Sequence, residues 1–474
     1  MAGTKTLRVG VLTPVSTLNP REVQDFVSET AVAQIYESPF APPAAGRLPE
    51  PVLFEEQLRQ DAAAVYSAAV RSGVRFSDGM LLTARHLADS LARVAKLREH
   101  MTVEAHGDRV VFHLDRPNAR LDLVLAQRSC GVTLESRGTL FGTGPYMLEP
   151  GSTPDRTRLV RNPHAHQPAA IGEVVIQLYP PDAQGRPEAL LAALEAGEVD
   201  FTNVLSREDI MRLKNVRRLT EPGSSTAILY MNTERPGVDD PRVRRAIALS
   251  IDRLEIAKLF YSTAMAFAAN HLLPPMLGRG NDGLAPDANK ARALLAAPGV
   301  RKPERLSLLV IFGPRPYLPN PRKVSEHIAA QIEKLGIAVD VAPTANLQEY
   351  RTRLQSGDYD LALAGWVADT LDPVDFLEVM LSPDFIPVPE RKMMIGGNLS
   401  RWRDRETAEA LARLREEPLE QVRTKLLQRI ADEVTLLPLM YGPTIYAHSW
   451  KVKHFTAAPL GIPSFADLDL QEAP

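Results

Sequence analysis

Two stretches of this 474-residue chain put a charged side chain where it could grip a small molecule. Asp369 follows Gly365-Trp366-Val367-Ala368, and Arg315 opens Arg315-Pro316-Tyr317-Leu318-Pro319-Asn320-Pro321. A fixed carboxylate takes an ammonium group, and a planar guanidinium takes a carboxylate through two parallel hydrogen bonds. A molecule that carries both charges is costly to bury unless both are paired. The two residue types together therefore suit an amphoteric guest. Each also has a plainer role. An aspartate in a loop that continues to Asp372-Pro373 reads as a cap or a turn. An arginine between prolines reads as a solvent-facing loop residue, and Trp366 can be a core side chain.

The other constellations are weaker. Gly278-Arg279-Gly280-Asn281-Asp282-Gly283 matches G-x-G-x-x-G, but it follows Leu273-Pro274-Pro275-Met276-Leu277 rather than a strand, and no helix opens at its last glycine. No G-x-x-x-x-G-K-[ST], H-E-x-x-H or G-x-S-x-G occurs. His164 and His166 have no evident third metal ligand, so a solvated loop is the better reading. Cys130, the only cysteine, reads as a small core residue and excludes an intrachain disulfide. Asp369 as a general base would lack a readable nucleophile. The expectation is a binding protein with no cofactor and no metal, not an enzyme.

Lysines and arginines number 55 against 58 aspartates and glutamates, a net charge of −3. That balance argues against a nucleic-acid partner or an anionic membrane surface. The 45% hydrophobic and 24% charged fractions are those of a globular chain, long enough for two or three domains. No apolar run reaches the ~18–20 residues that span a bilayer. Residues Met1 to Thr6 show neither an apolar signal core nor a lipid-accepting cysteine. The sequence as it stands therefore reads as cytoplasmic, unless a signal was removed.

Strand-like and helix-like segments alternate, which predicts an α/β fold. Strands are expected at 7–12, 65–73 and 110–114. Thr83 should cap a helix with Leu87, Leu91 and Val94 on one face. Two segments share one grammar. Leu190 to Phe201 and Tyr350 to Leu361 each read helix, glycine, acidic residue, strand, with Gly197 and Gly357 as left-handed stops. They read as equivalent αβ units in two lobes. Asp240-Pro241 offers a cap followed by proline at the first helical position. Asp252 to Glu255 resembles a capping box. A further helix from about Arg322 carries Val324, Ile328, Ile332 and Leu335, with Gly336 ending it before a strand at Ile337 to Val339.

Six elements, in order, resemble the large substrate-binding proteins of peptide and nickel ABC transporters, solute-binding family 5. They are Asp78-Gly79 through Thr83-Ala84, Gly142-Thr143-Gly144-Pro145-Tyr146, Arg161-Asn162-Pro163, Met231-Asn232-Thr233 with Asp240 through Arg253, Ala291 through Leu295, and Gly365-Trp366 through Asp372-Pro373. The resemblance spans nearly the whole chain. It implies a periplasmic-binding-protein-like fold (type II, cluster C), with two α/β lobes, an inserted extra domain and a hinged cleft that closes on its ligand. The expected partition is 1–37, 141–233 and 446–474 for the first lobe, 38–140 for the insertion and 234–445 for the third lobe.

In that family Asp369 matches the aspartate that takes a peptide's α-ammonium. Arg315 resembles the arginine of the dipeptide-binding branch that holds the α-carboxylate, which points to a dipeptide-sized guest. Backbone groups of Pro316, Val367 and Ala368 would hold the peptide main chain, and Trp366, Tyr317 and Tyr441 would wall the site. Gln24 stands where the dipeptide branch has a hydroxyl residue, and Asn162-Pro163-His164-Ala165-His166 lacks that family's aromatics. The implied partners are a short peptide and the permease subunits of an ABC transporter, with the protein itself a monomer and, were a signal removed, periplasmic or cell-surface. A nickel complex as ligand, a cytosolic sensor or a biosynthetic accessory protein would fit the same fold.

Overall fold

The structure, a computed structural model, describes residues 5–471 apart from 24, 44–47, 184, 262–263, 279–283, 314, 369, 390–396 and 418. The chain forms two compact units, Met1–Glu221 with Thr444–Pro474, and Pro222–Pro443. It passes from one to the other inside two long strands, Arg217–Met231 and Leu436–His448.

In the first unit the strand Thr6–Val11 sits centrally, parallel to both Glu173–Leu178 and Phe201–Thr202. Arg156–Arg161 and Tyr146–Leu148 extend the sheet on one side in antiparallel fashion. On the other side Phe201 pairs with His448. Strand alternation puts Leu7, Val9 and Val11 into a core with Phe201, Tyr446 and Phe465. Gly10 faces the opposite way, where a Cβ would come within 2.3 Å of Leu190 Cδ1. Only glycine lets the helix Glu188–Glu195 lie this close to the sheet. Gly197, with φ 68°, then turns the chain toward its strand, as expected.

Residues within 40–132 build a second core of their own, around Phe40, Phe54, Phe76, Leu87 and Phe112. It backs a four-stranded antiparallel sheet in the order Arg59–Ala62, Val65–Ala69, Arg109–Leu114, Met101–His106. The helix Ala84–Leu91 is capped by Thr83, whose hydroxyl accepts the His86 N–H. Leu87, Leu91 and Val94 are buried, although the helix itself stops at Leu91.

The second unit stacks Leu436–His448, Arg217–Met231, Leu361–Val367, Arg305–Val310 and Ala338–Pro343 in that order. Asp240 caps Pro241–Ser250 through the Arg242 N–H, with proline at the first helical position. Asp252 caps Arg253–Lys258 through the Leu254 and Glu255 N–H groups. The expected capping box is only half present. The Asp252 N–H donates to Gln331 Oε1 at 2.7 Å, so Glu255 does not reach back to it. A tertiary acceptor has replaced the local one. The helix Pro321–Glu333 buries Val324, Ile328 and Ile332 and is followed by Gly336 at φ 71°. Gly357, at φ 70°, ends Leu347–Ser356 before the strand Leu361–Val367.

Several of the recognisable motifs are seams in this scaffold. Gly144 N–H donates to Ile35 O at 2.9 Å. A Cβ on Gly142 or Gly144 would fall 2.1 or 2.6 Å from that same carbonyl. Asn162 donates its side-chain amide to Gly144 O at 2.8 Å, and its backbone N–H to Pro145 O. The Gly142–Tyr146 and Arg161–Pro163 elements are thus two halves of one clasp.

Candidate functional site

The Arg315 segment is a rigid turn. The Arg315 N–H donates to Leu318 O at 3.0 Å, and the Leu318 N–H returns to Arg315 O at 2.9 Å. Pro316 occupies the second turn position, for which its fixed φ is suited. Asn320 then caps the helix Pro321–Glu333 through the Lys323 N–H. The turn is therefore pinned at both ends.

Two glycines seat it. A Cβ on Gly365 would lie 2.3 Å from Thr226 O and 2.6 Å from Tyr317 Cδ2, so the Tyr317 ring rests on bare backbone. A Cβ on Gly442 would lie 2.9 Å from both Pro316 O and Tyr317 Cα, and 2.2 Å from Ser225 Oγ. Val367 pairs with Ser225 and is 39% exposed. Alternation puts Val367 on the same face as Gly365, and hence beside the turn. Ala368 N–H donates to Ser224 O at 2.8 Å, which extends the strand pairing past Val367.

Arg315 is half-buried, and its Nε and Nη2 are shielded from solvent without a hydrogen-bond partner among the described residues. Beside it stand two tyrosines. Burial pushes Tyr317 up to about 12, with the Arg315 charge pulling the other way. Burial pushes the fully buried Tyr350 well up, again against Arg315, and its hydroxyl is also unpartnered among the described residues. A buried unpaired donor costs about 1–3 kcal/mol, more when charged. No acceptor for these two nitrogens stands among the described residues, so a ligand carboxylate would find donors free there.

Two other arginines of the unit are bonded to backbone carbonyls. Arg244, 2% exposed, donates to the carbonyls of Glu433, Val238 and Asp239 and to Glu433 Oε2. Arg253 donates to the carbonyls of Ala269 and Leu284.

The sequence-predicted residues divide as follows. Arg315, Pro316, Tyr317, Val367 and Ala368 belong to one neighbourhood. Trp366 pairs with Thr226 and projects from the opposite strand face to Gly365, away from the Tyr317 ring. Tyr441 is buried, donates its hydroxyl to His271 O at 3.0 Å, and is pushed up to about 12 by that burial. Asp369 and Gln24 lie outside the described residues. Sequence reasoning missed Tyr350, which it used only to mark the start of a helix, and Gly442. The run Tyr441-Gly442-Pro443 inside a strand was the available signal for the latter.

The discounted features are occupied otherwise. Cys130 is buried, and burial pushes its thiol up to about 12. His166 bonds Glu37 at 3.0 Å, and His164 sits over Gly79. Most of the glycine-rich 278–283 stretch lies outside the described residues. Among the described residues no three His, Cys, Asp or Glu side chains form a group that could hold a metal. No helix there is long and apolar enough to cross a membrane.

The fold is mixed α/β and matches periplasmic-binding-protein-like structures of cluster C over nearly the whole chain. Residues 49–386 match the family of bacterial extracellular solute-binding proteins, family 5 Middle, and the chain belongs to that family. It is a family of binders rather than enzymes, as the motif series implied. The dipeptide-binding protein of Escherichia coli K12 is 25% identical over 341 residues, which is 70% of this chain and 61% of that protein. The di/tripeptide-binding protein 2 of Pseudomonas aeruginosa UCBPP-PA14 is 27% identical, covering 84% and 74%. The heme-binding protein A of Haemophilus influenzae is 26% identical, covering 70% and 60%. In three dimensions, HbpA2 from Haemophilus parasuis aligns with a TM-score of 0.87 at 22% identity, over 98% of this chain and 100% of that one.

Proposed function

We propose that this chain is the substrate-binding component of an ABC transporter and that it takes a short, dipeptide-sized peptide for delivery to permease subunits. In this reading Arg315 receives the peptide α-carboxylate and Asp369 its α-ammonium. Pro316, Val367 and Ala368 present backbone groups along the peptide. The observation that carries the reading is the half-buried Arg315 on a braced turn, its Nε and Nη2 shielded and without a partner among the described residues. A peptide carboxylate supplies the missing acceptor. Peptide-binding relatives add support, and so does the family.

Localisation outside the cytoplasmic membrane is part of the same proposal, as is a separate lobe around residues 38–140, supported by that region's own core and sheet. The heme-binding relative supplies a second reading, since Arg315 could equally pair a propionate. Thermal-shift and calorimetric screening separates them. Di- and tripeptides are expected to stabilise the protein most, pentapeptides less, and all to be returned unchanged. A Soret band on heme titration, with no response to any peptide, would replace the peptide with heme.

A further inference from the structure

We propose that the second unit carries another small-molecule site, lined by different residues from the Arg315 turn. Its ligand would be a small amphoteric molecule with an apolar body, the class of a free aliphatic α-amino acid. A cavity of about 150 Å³ opens between the last turns of the helix Glu420–Glu433, the start of the strand Leu436–His448 and residues 270–272. That is far more than one water needs and is the size that accepts a benzene-sized guest. Its floor is apolar, formed by the buried Leu272, Leu427, Ile430 and Leu436.

Its rim carries two opposite charges that do not meet. Arg245, from the helix Pro241–Ser250, has no side-chain partner among the described residues. Asp432 accepts only the Gln428 amide there, at 3.0 Å. Arg253 also lines the space, but Nη1 and Nη2 each donate to a backbone carbonyl, of Ala269 and Leu284. Arg245 is the lining guanidinium with no such bond among the described residues. A carboxylic acid would use Arg245 alone, and an amine would use Asp432 alone. A zwitterion uses both and lays its side chain on the leucines.

The wall between helix and strand turns at Val434, with φ 49°. A β-branched residue rarely adopts this left-handed conformation. Such strain persists only where the surroundings enforce it, and it gathers at binding sites.

Calorimetry on the full chain tests the proposal with L-leucine, L-leucine methyl ester and 4-methylpentanoate. L-leucine should bind, and each derivative should bind about tenfold or more weakly. Arg245→Met should reproduce that loss for L-leucine while leaving peptide affinity as it was. Leu427→Trp, which fills the floor, should abolish L-leucine binding, and Arg245→Met decides the matter if that variant does not fold. Equal binding of the three compounds, no heat with L-leucine, or a loss that tracks Arg315→Ala instead of Arg245→Met would overturn it. Peptide binding depends on Arg315 and not on Arg245, so the two sites fail separately.

Discussion

Two arginines of the second unit, Arg244 and Arg315, show opposite uses of one side chain. Arg244 is buried where all three of its nitrogens meet acceptors, at 2.9–3.1 Å. It ties the helix Pro241–Ser250 to the end of the helix Glu420–Glu433 and to the loop before it. Arg315 is placed as firmly, by a doubly bonded turn resting on two glycines, yet two of its nitrogens meet nothing among the described residues. In the first case the backbone is arranged to satisfy the side chain. In the second it is arranged to hold the side chain unsatisfied. Arg244 contributes to the folded state, whereas on the proposed reading Arg315 contributes to the bound state.

That contrast can be broken by exchanging which property each residue controls. Arg244→Ala removes a buried guanidinium and strands the Glu433, Val238 and Asp239 carbonyls, so unfolding free energy should fall by about 1–3 kcal/mol in denaturant titration. Peptide affinity of the remaining folded fraction should be unchanged. Arg315→Ala should do the reverse, weakening free-acid dipeptides by about 2–5 kcal/mol. Its melting temperature should not drop, because no hydrogen bond is lost. If Arg315→Ala unfolds the protein, the two arginines do the same work.

Gly365→Ala probes the seat of the turn. The new Cβ meets Thr226 O and the Tyr317 ring at under 3 Å. Overpacking of this kind costs about 1–3 kcal/mol, and it should lower peptide affinity together with stability. Affinity that survives intact would show that the turn need not lie on that strand.

The smallest effect sharpens the satisfied side. Asp404 caps Arg405–Glu416 through the Thr407 N–H and takes Arg429 through both carboxylate oxygens at 2.7 Å. The Arg429 guanidinium holds the Asp404 carboxyl below the usual carboxylate range. The resulting stabilisation is present above the unfolded-state value near 4 and is lost as pH falls through the depressed folded value. Asn still caps the helix, so Asp404→Asn should cost only the ion pair, up to about 1 kcal/mol at neutral pH, and the gap to the parent protein should narrow as acid protonates Asp404. A gap independent of pH would mean that the charge of Asp404 is irrelevant.

The fold was largely legible because its signals are local. Thr83, Asp240 and Asp252 cap helices through their own neighbours, and Gly197 and Gly357 stop helices because only a left-handed residue fits. The capping box at Glu255 was misjudged because Gln331, remote in sequence, took the donor. The site was legible only as residue types. Nothing in the order Arg-Pro-Tyr says that Arg315 would lack acceptors, since that depends on what folds around it. Strand alternation, readable in principle, would have separated Trp366 from the Val367 face. Tyr441 looked like a site wall, but its hydroxyl is committed to His271.

The proposed pairing of Arg315 with a peptide carboxylate is tested by one pairwise affinity comparison. A dipeptide and its C-terminal amide are titrated calorimetrically into the parent protein and into Arg315→Ala. The parent should strongly prefer the free acid, and Arg315→Ala should lose that preference through loss of free-acid binding alone. Equal loss on acid and amide, or a preference for the acid that persists without Arg315, would contradict it.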